Sequence, residues 1–227
     1  MLFLAKQPQL AKYVALLCSG AVLLGSLVML AGYDLSTTDY QFWQDTEWFP
    51  AFGVSFTVGL DSLSLPLFML TTLLCFLVVL YSWDVTERAP FYYGLLLLLE
   101  TGVLGVFSAL DFFLFYIFWE IVLIPMFFLI GIWGGERRSY ASMKFLIYTH
   151  VASLIMLLAI GAMYFKAADV LGYYTFSIPE ITSVGFDLSF QLLVFPALLF
   201  AFCVKLPVVP VHTWLPDAHV EAPTAAS

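Results

Sequence analysis

Long apolar runs separated by short polar connections dominate the chain. Six runs, at 13–32, 62–83, 91–110, 112–133, 141–165 and 188–205, are the right size for helices crossing a hydrocarbon core, which takes about 20 residues each. The first is too long and too apolar for a signal peptide, and no convincing cleavage site follows it. The expected fold is therefore all-α: a polytopic transmembrane helix bundle forming one membrane domain over 1–227, with a short seventh piece after Pro210. One connection differs. Within the loop 33–61, the stretch FGVSFTVGL at 52–60 alternates apolar with small or polar residues, the period of a half-buried strand. It predicts a short strand or hairpin on the outer face, or else an extended packing loop.

The connections also carry orientation. Lys6 and Lys12 precede the first run, Arg88 follows the second, and Arg137, Arg138 and Lys144 follow the fourth. The opposite side holds only Lys166, so the positive-inside rule places the N-terminus on the cytoplasmic-type side, with Arg137 and Arg138 as anchors. Composition agrees: 63% of the 227 residues are hydrophobic and 11% charged, too apolar for a soluble domain. The net charge of −8 argues against nucleic-acid binding. No phosphate loop, dinucleotide or flavin fingerprint or nucleophile elbow is present. Cys18, Cys75 and Cys203 lie singly in apolar runs without metal or redox spacing.

The chemistry concentrates where apolar runs break. In KLPVVPVHTWLPDAHVEAPT, headed by Lys205, prolines fall at 207, 210 and 216. Each proline removes a donor and clashes with the carbonyl four residues back, so Pro207 and Pro210 are expected to free the carbonyls of Cys203 and Leu206. A discontinuous helix beside a buried cation is a candidate ion or proton site. Glu120 lies inside the fourth run, where a carboxylate costs roughly 2.5–3.5 kcal/mol on insertion scales and must find a partner. Pro125 loosens its helix by freeing the Ile121 carbonyl. Lys205 is the natural opposite charge: pairing favours both ionised forms and burial favours both neutral ones, a balance suited to proton transfer. A structural, hydrogen-bonded glutamate is the alternative.

Glu100 lies within the third run at a depth similar to Glu120. The two carboxylates either titrate as a pair or face different neighbours, while Gly102 and Gly105 indicate close helix approach. Lys144 and His150 stand about 240° apart around the fifth helix. Lys144 either snorkels at the inner end or relays protons between Glu120 and Lys205. His150 reads as a hydrogen-bonded packing residue or a further relay. His212 and His219 flank Pro216 and Asp217, and lack a third metal ligand, which leaves a water-linked relay role.

FWEIVLIPMFFLIGIWGG (118–135) and KLPVVPVHTWLPDAHVEAPTAAS (205–227) closely resemble the antiporter-like membrane subunit, M or chain 4, of the NADH:quinone oxidoreductases of respiratory complex I. WFPAFGVSFTVGLDSLSLPL (48–67), YYGLLLLLETGVLGVFSALDFFLFY (92–116) and ASMKFLIYTH (141–150) look like the same subunit, so the resemblance covers nearly the whole chain. It implies that Glu120 matches the family's essential glutamate, Lys205 the lysine of its discontinuous helix, Lys144 the basic position of the next helix, and His212 and His219 the histidines after the break. Glu100 and His150 have no matching family role.

The resemblance further implies a proton-translocating subunit in an energy-transducing membrane, either a bacterial inner membrane or a thylakoid or organelle inner membrane. Its partners would be other membrane subunits of the complex. This chain would hold no cofactor, while NADH or another reductant, FMN, iron–sulfur clusters and quinone would belong to those partners. Relative to the family, one leading helix and the second inverted repeat are missing, so the chain is expected to be incomplete. Two rivals remain: a subunit of a multisubunit sodium/proton antiporter, against which WEIVLIPM and DAHVEAPT weigh, and a non-conducting structural membrane subunit.

Overall fold

The structure, a computed structural model, describes residues 8–227; Lys6 lies outside them. The chain runs α1 (Pro8–Gly32), β1 (Gln41–Phe49), β2 (Val54–Leu60), α2 (Ser64–Tyr81), α3 (Ala89–Ser108), α4 (Phe112–Ile121), α5 (Leu123–Trp133), α6 (Arg138–Leu171), α7 (Ile178–Ser183), α8 (Leu188–Lys205) and α9 (Trp214–Glu221). Six helices are long and apolar enough to cross a membrane: α1, α2, α3, α4 with α5 as one span, α6 and α8. With 34 residues, α6 is about 50 Å long, well beyond a hydrocarbon core of about 30 Å.

Three apolar clusters hold the bundle, the smallest being Tyr33, Leu60 and Leu65 under the hairpin. One gathers Leu123 and Ile130 of α5, Phe145, Met156 and Ile160 of α6, and Val194 and Val204 of α8. Another joins α1, α2 and α3 through Ala11, Val79, Tyr92, Tyr93 and Leu95, with Leu129 from α5. The glycines of α3 act as the sequence suggested. A Cβ on Gly105 would lie only 2.2 Å from Phe118 ring carbons, and one on Gly102 would lie 2.8 Å from a Val122 methyl. Small residues thus let α3 and the α4–α5 span approach closely.

Each end of the bundle is tied off by polar bonds. At one end β1 and β2 form an antiparallel hairpin joined by the turn Pro50–Phe52. The hairpin docks on the α3–α4 turn and on the 175–178 segment: Leu110 N–H donates to Thr57 and Phe176 N–H to Gly53, while Ile178 N–H donates to Leu110 and ties those two segments together. Asp111, 1% exposed, caps α4 by accepting from Phe113 and Leu114 N–H and reaches the hairpin through Ser55 N–H. Burial raises its pKa despite these three donors. Gly53 needs its φ of +64°, and a side chain there would strike the Tyr174 carbonyl.

The other end carries most of the cations. Lys12 is buried rather than free at the surface, donating to the Trp83 carbonyl, and the Trp133 indole donates to the Glu87 carbonyl.

Candidate functional site

Glu120 sits at the interruption of the fourth span. Pro125 has no N–H to offer Ile121, so regular helix pauses at Val122, whose N–H reaches Phe118 at 3.3 Å. Glu120 Oε2 lies 2.9 Å from His150 Nδ1 on α6, while its Oε1 is buried without a hydrogen-bond partner.

Lys205 is the last residue of α8, where a cation complements the helix dipole. Its ammonium is also buried without a hydrogen-bond partner and lies 5.0 Å from the centre of the Trp119 ring, the neighbour of Glu120. The direct Glu120–Lys205 ion pair expected from sequence is therefore corrected. His150 takes one carboxylate oxygen, and the Trp119 face lies against the lysine, which keeps no direct contact with the carboxylate.

The break after Lys205 also rearranges its carbonyls differently from expectation. Cys203 is not left open: its carbonyl accepts from Val208 N–H at 2.8 Å, one residue beyond the missing Pro207 donor. That shift takes away the normal partner of Val204, and the Trp214 indole, arriving from α9, fills the gap at 2.8 Å. Trp214 also packs on Phe145 of α6, ring centres 5.3 Å apart. A Trp214→Phe change keeps an aromatic ring, though a smaller one, and deletes the donor. We expect a loss of about 1–3 kcal/mol, the cost of one buried unsatisfied carbonyl, read as faster amide exchange confined to the last turn of α8.

Lys144 does not reach Glu120 or Lys205. It pairs with Asp217 of α9 at 2.7 Å, with the Tyr140 and Tyr148 rings alongside. Glu221, at the end of α9, accepts from Arg137 N–H through its carboxylate and from Gly135 N–H through its carbonyl. The segment after the break is thus fastened to the start of α6 at the cationic end. His212 Nδ1 is buried without a partner, and His219 Nδ1 lies 2.8 Å from Ser227 Oγ.

Glu100, 3% exposed, is not brought to this group. It faces a small cavity of about 70 Å³ beside Cys75, Val78 and Ala225, with Oε1 unpartnered. Of the two arrangements left open for the carboxylates, the structure shows separate neighbours: α2 for Glu100 and α6 for Glu120. Sequence reasoning missed Trp214, Asp217 and Glu221. An indole and two acids following a helix break were the available signal, as such breaks leave carbonyls and N–H groups to be satisfied.

Comparison with known proteins identifies the family. The family model described as "NADH:quinone oxidoreductase/Mrp antiporter, TM" matches residues 109–227, over half of the chain. The chain is 43% identical to the F(420)H(2) dehydrogenase subunit M of Methanosarcina mazei over 234 residues, covering 99% of this chain and 46% of that one. It is 44% identical to the NADH-quinone oxidoreductase subunit M of Rhodobacter capsulatus over 229 residues, covering 96% and 43%. Among solved structures, a chain of respiratory complex I from Thermus thermophilus superposes with a TM-score of 0.82 at 32% identity, covering 93% of this chain and 43% of that one. A chain of the Mrp complex from Dietzia sp. DQ12-45-1b gives 0.81 at 25%, covering 98% and 41%. The chain spans less than half the length of these relatives. It is an integral, multi-pass membrane protein and belongs to the NADH:quinone oxidoreductase/Mrp antiporter family of membrane subunits.

Proposed function

We propose that the full-length chain is a proton-translocating membrane subunit of a quinone-reducing oxidoreductase complex, with Glu120 and Lys205 as its central proton carriers. The observation that carries this reading is a pair of buried ionisable atoms without hydrogen-bond partners, Glu120 Oε1 and Lys205 Nζ, each beside an interruption of a membrane-spanning helix. Unsatisfied ionisable groups are costly in an apolar interior and mark transport paths more often than scaffolding.

Electron transfer from a reductant through FMN and iron–sulfur clusters to quinone belongs to partner subunits, the neighbouring antiporter-like subunits being the immediate contacts. The cationic end faces the cytoplasmic-type side of an energy-transducing membrane. A proton enters there along Lys144, His212 and His219, where Lys144 must first leave Asp217. It reaches Lys205 and passes to Glu120 through intervening water. Carrying one charge against 100 mV requires about 2.3 kcal/mol, which a change of about two units in a carrier's pKa supplies.

The Mrp likeness keeps a sodium/proton antiporter as the second reading, while relatives at 43–44% identity support the dehydrogenase subunit. Glu120→Gln in the assembled, full-length complex, reconstituted in vesicles, separates them. We expect normal assembly and proton translocation reduced about 100-fold, the scale of losing a positioned proton donor. Unchanged translocation would overturn the reading, and translocation that requires sodium would favour the antiporter.

A further inference from the structure

We propose that His150 is a proton carrier in its own right: the lateral terminal through which Glu120 exchanges protons with a hydrated seam along the outer face of α6. The proposal rests on the reading of Glu120 given above and extends the path beyond it.

The geometry divides the Glu120 carboxylate between two surroundings. Oε1 is enclosed within the bundle, and Oε2 is held by His150 Nδ1 at 2.9 Å. The imidazole bridges inside and outside, because the His150 side chain is 49% exposed against 23% for Glu120. It makes no second side-chain hydrogen bond among the described residues, leaving Nε2 open to the exposed side of α6. Its position on α6 is fixed by the helix, with Ser153 Oγ bonded to the His150 carbonyl one turn on.

The surroundings of His150 make a packing role insufficient. Ile147, Val151 and Leu154 share the exposed face of α6, at 54%, 52% and 44%. Three such side chains suit lipid or an apolar partner. An imidazole among them, inside a membrane-spanning helix, does not, unless a polar group or water meets its free nitrogen. A purely structural partner for Glu120 would also be better placed wholly inside the bundle. The facing groups fit a relay: Glu120 on α4 is bonded to the ring, and Tyr116 lies one helical turn before Glu120, while Lys205 lies over the Trp119 ring next to it.

The transfer balances without any co-reactant. Protonated Glu120 gives its Oε2 proton to Nδ1 of the neutral ring, leaving a carboxylate and an imidazolium. Nε2–H then passes its proton to water in the seam, leaving the Nδ1–H tautomer, and exchange through water, which takes the Nδ1 proton and returns one to Nε2, restores the first tautomer. One proton crosses from carboxylate to seam, and no electrons move.

The test uses the assembled complex in vesicles with His150→Ala, His150→Gln and Glu120→Gln, each with and without added imidazole. A glutamine can still donate to Oε2 but cannot carry a proton. We expect His150→Ala and His150→Gln both to lose about 100-fold in translocation. We also expect millimolar imidazole to restore His150→Ala by about tenfold or more and to leave Glu120→Gln unrestored. Wild-type translocation by His150→Ala, with Glu120→Gln inactive, would overturn this inference and spare the reading of Glu120. Active His150→Gln would reduce His150 to a positioning residue, and failure of imidazole to restore His150→Ala would likewise overturn the carrier role. Full activity in all three variants would overturn the reading of Glu120 as well.

Discussion

A Lys205→Met variant of the full-length chain is expected to fold at least as well as the wild type while translocating almost no protons. Methionine matches the lysine stem in length and keeps its contacts with Trp119 and the end of α8. What it removes is an ammonium that is buried with no hydrogen-bond partner. Relieving an unsatisfied buried polar group returns about 1–3 kcal/mol, partly offset by the lost attraction to the Trp119 ring, about 0.5–2 kcal/mol. Thermal unfolding of the purified complex checks the first half of the expectation, with a midpoint equal to or above wild type. Proton uptake by vesicles checks the second, with a loss of about 100-fold. A lysine kept for architecture predicts the reverse pattern: a lower midpoint and normal transport.

The second large effect is structural. Gly105→Leu should prevent α3 from seating on α4, since even a Cβ at this position would lie only 2.2 Å from Phe118 ring carbons. Overpacking of this kind costs about 3 kcal/mol, and it acts two residues before Glu120 on the opposing helix. We expect poor assembly on native gels and, in whatever complex forms, transport lost through displacement of Glu120. Gly161 supplies the control: a Cβ there meets nothing within 4 Å, so Gly161→Ala should assemble normally and gain up to about 1 kcal/mol from helix propensity.

Hydropathy made much of this architecture legible because it reports which segments leave water. The fourth span was readable to the residue, and alternation at 52–60 announced the hairpin strand Val54–Leu60. Proline chemistry located both interruptions, at Val122 and after Lys205, since a missing N–H acts on its own helix. What hydropathy does not encode is the rotation of one helix against another. Glu120 and His150 are 30 residues apart, and whether their faces meet depends on how α4 and α6 pack; charge alone suggested Lys205 as partner, and geometry selected the imidazole. The same limit hid the Lys144–Asp217 pair and the Trp214–Val204 bond, both made by α9 folding back along α6. Buried unpartnered atoms such as Glu120 Oε1 are invisible in sequence, because every polar residue there could in principle find a partner.

Protons carried per electron pair, measured in vesicles for wild type, Glu120→Gln, Lys205→Met and the double variant, test the central claim most directly. If acid and amine form one pathway, each single variant should lose nearly as much as the double, because groups acting as a unit are not additive. A wild-type ratio in either single variant, or losses that simply multiply, would contradict a shared path through Glu120 and Lys205.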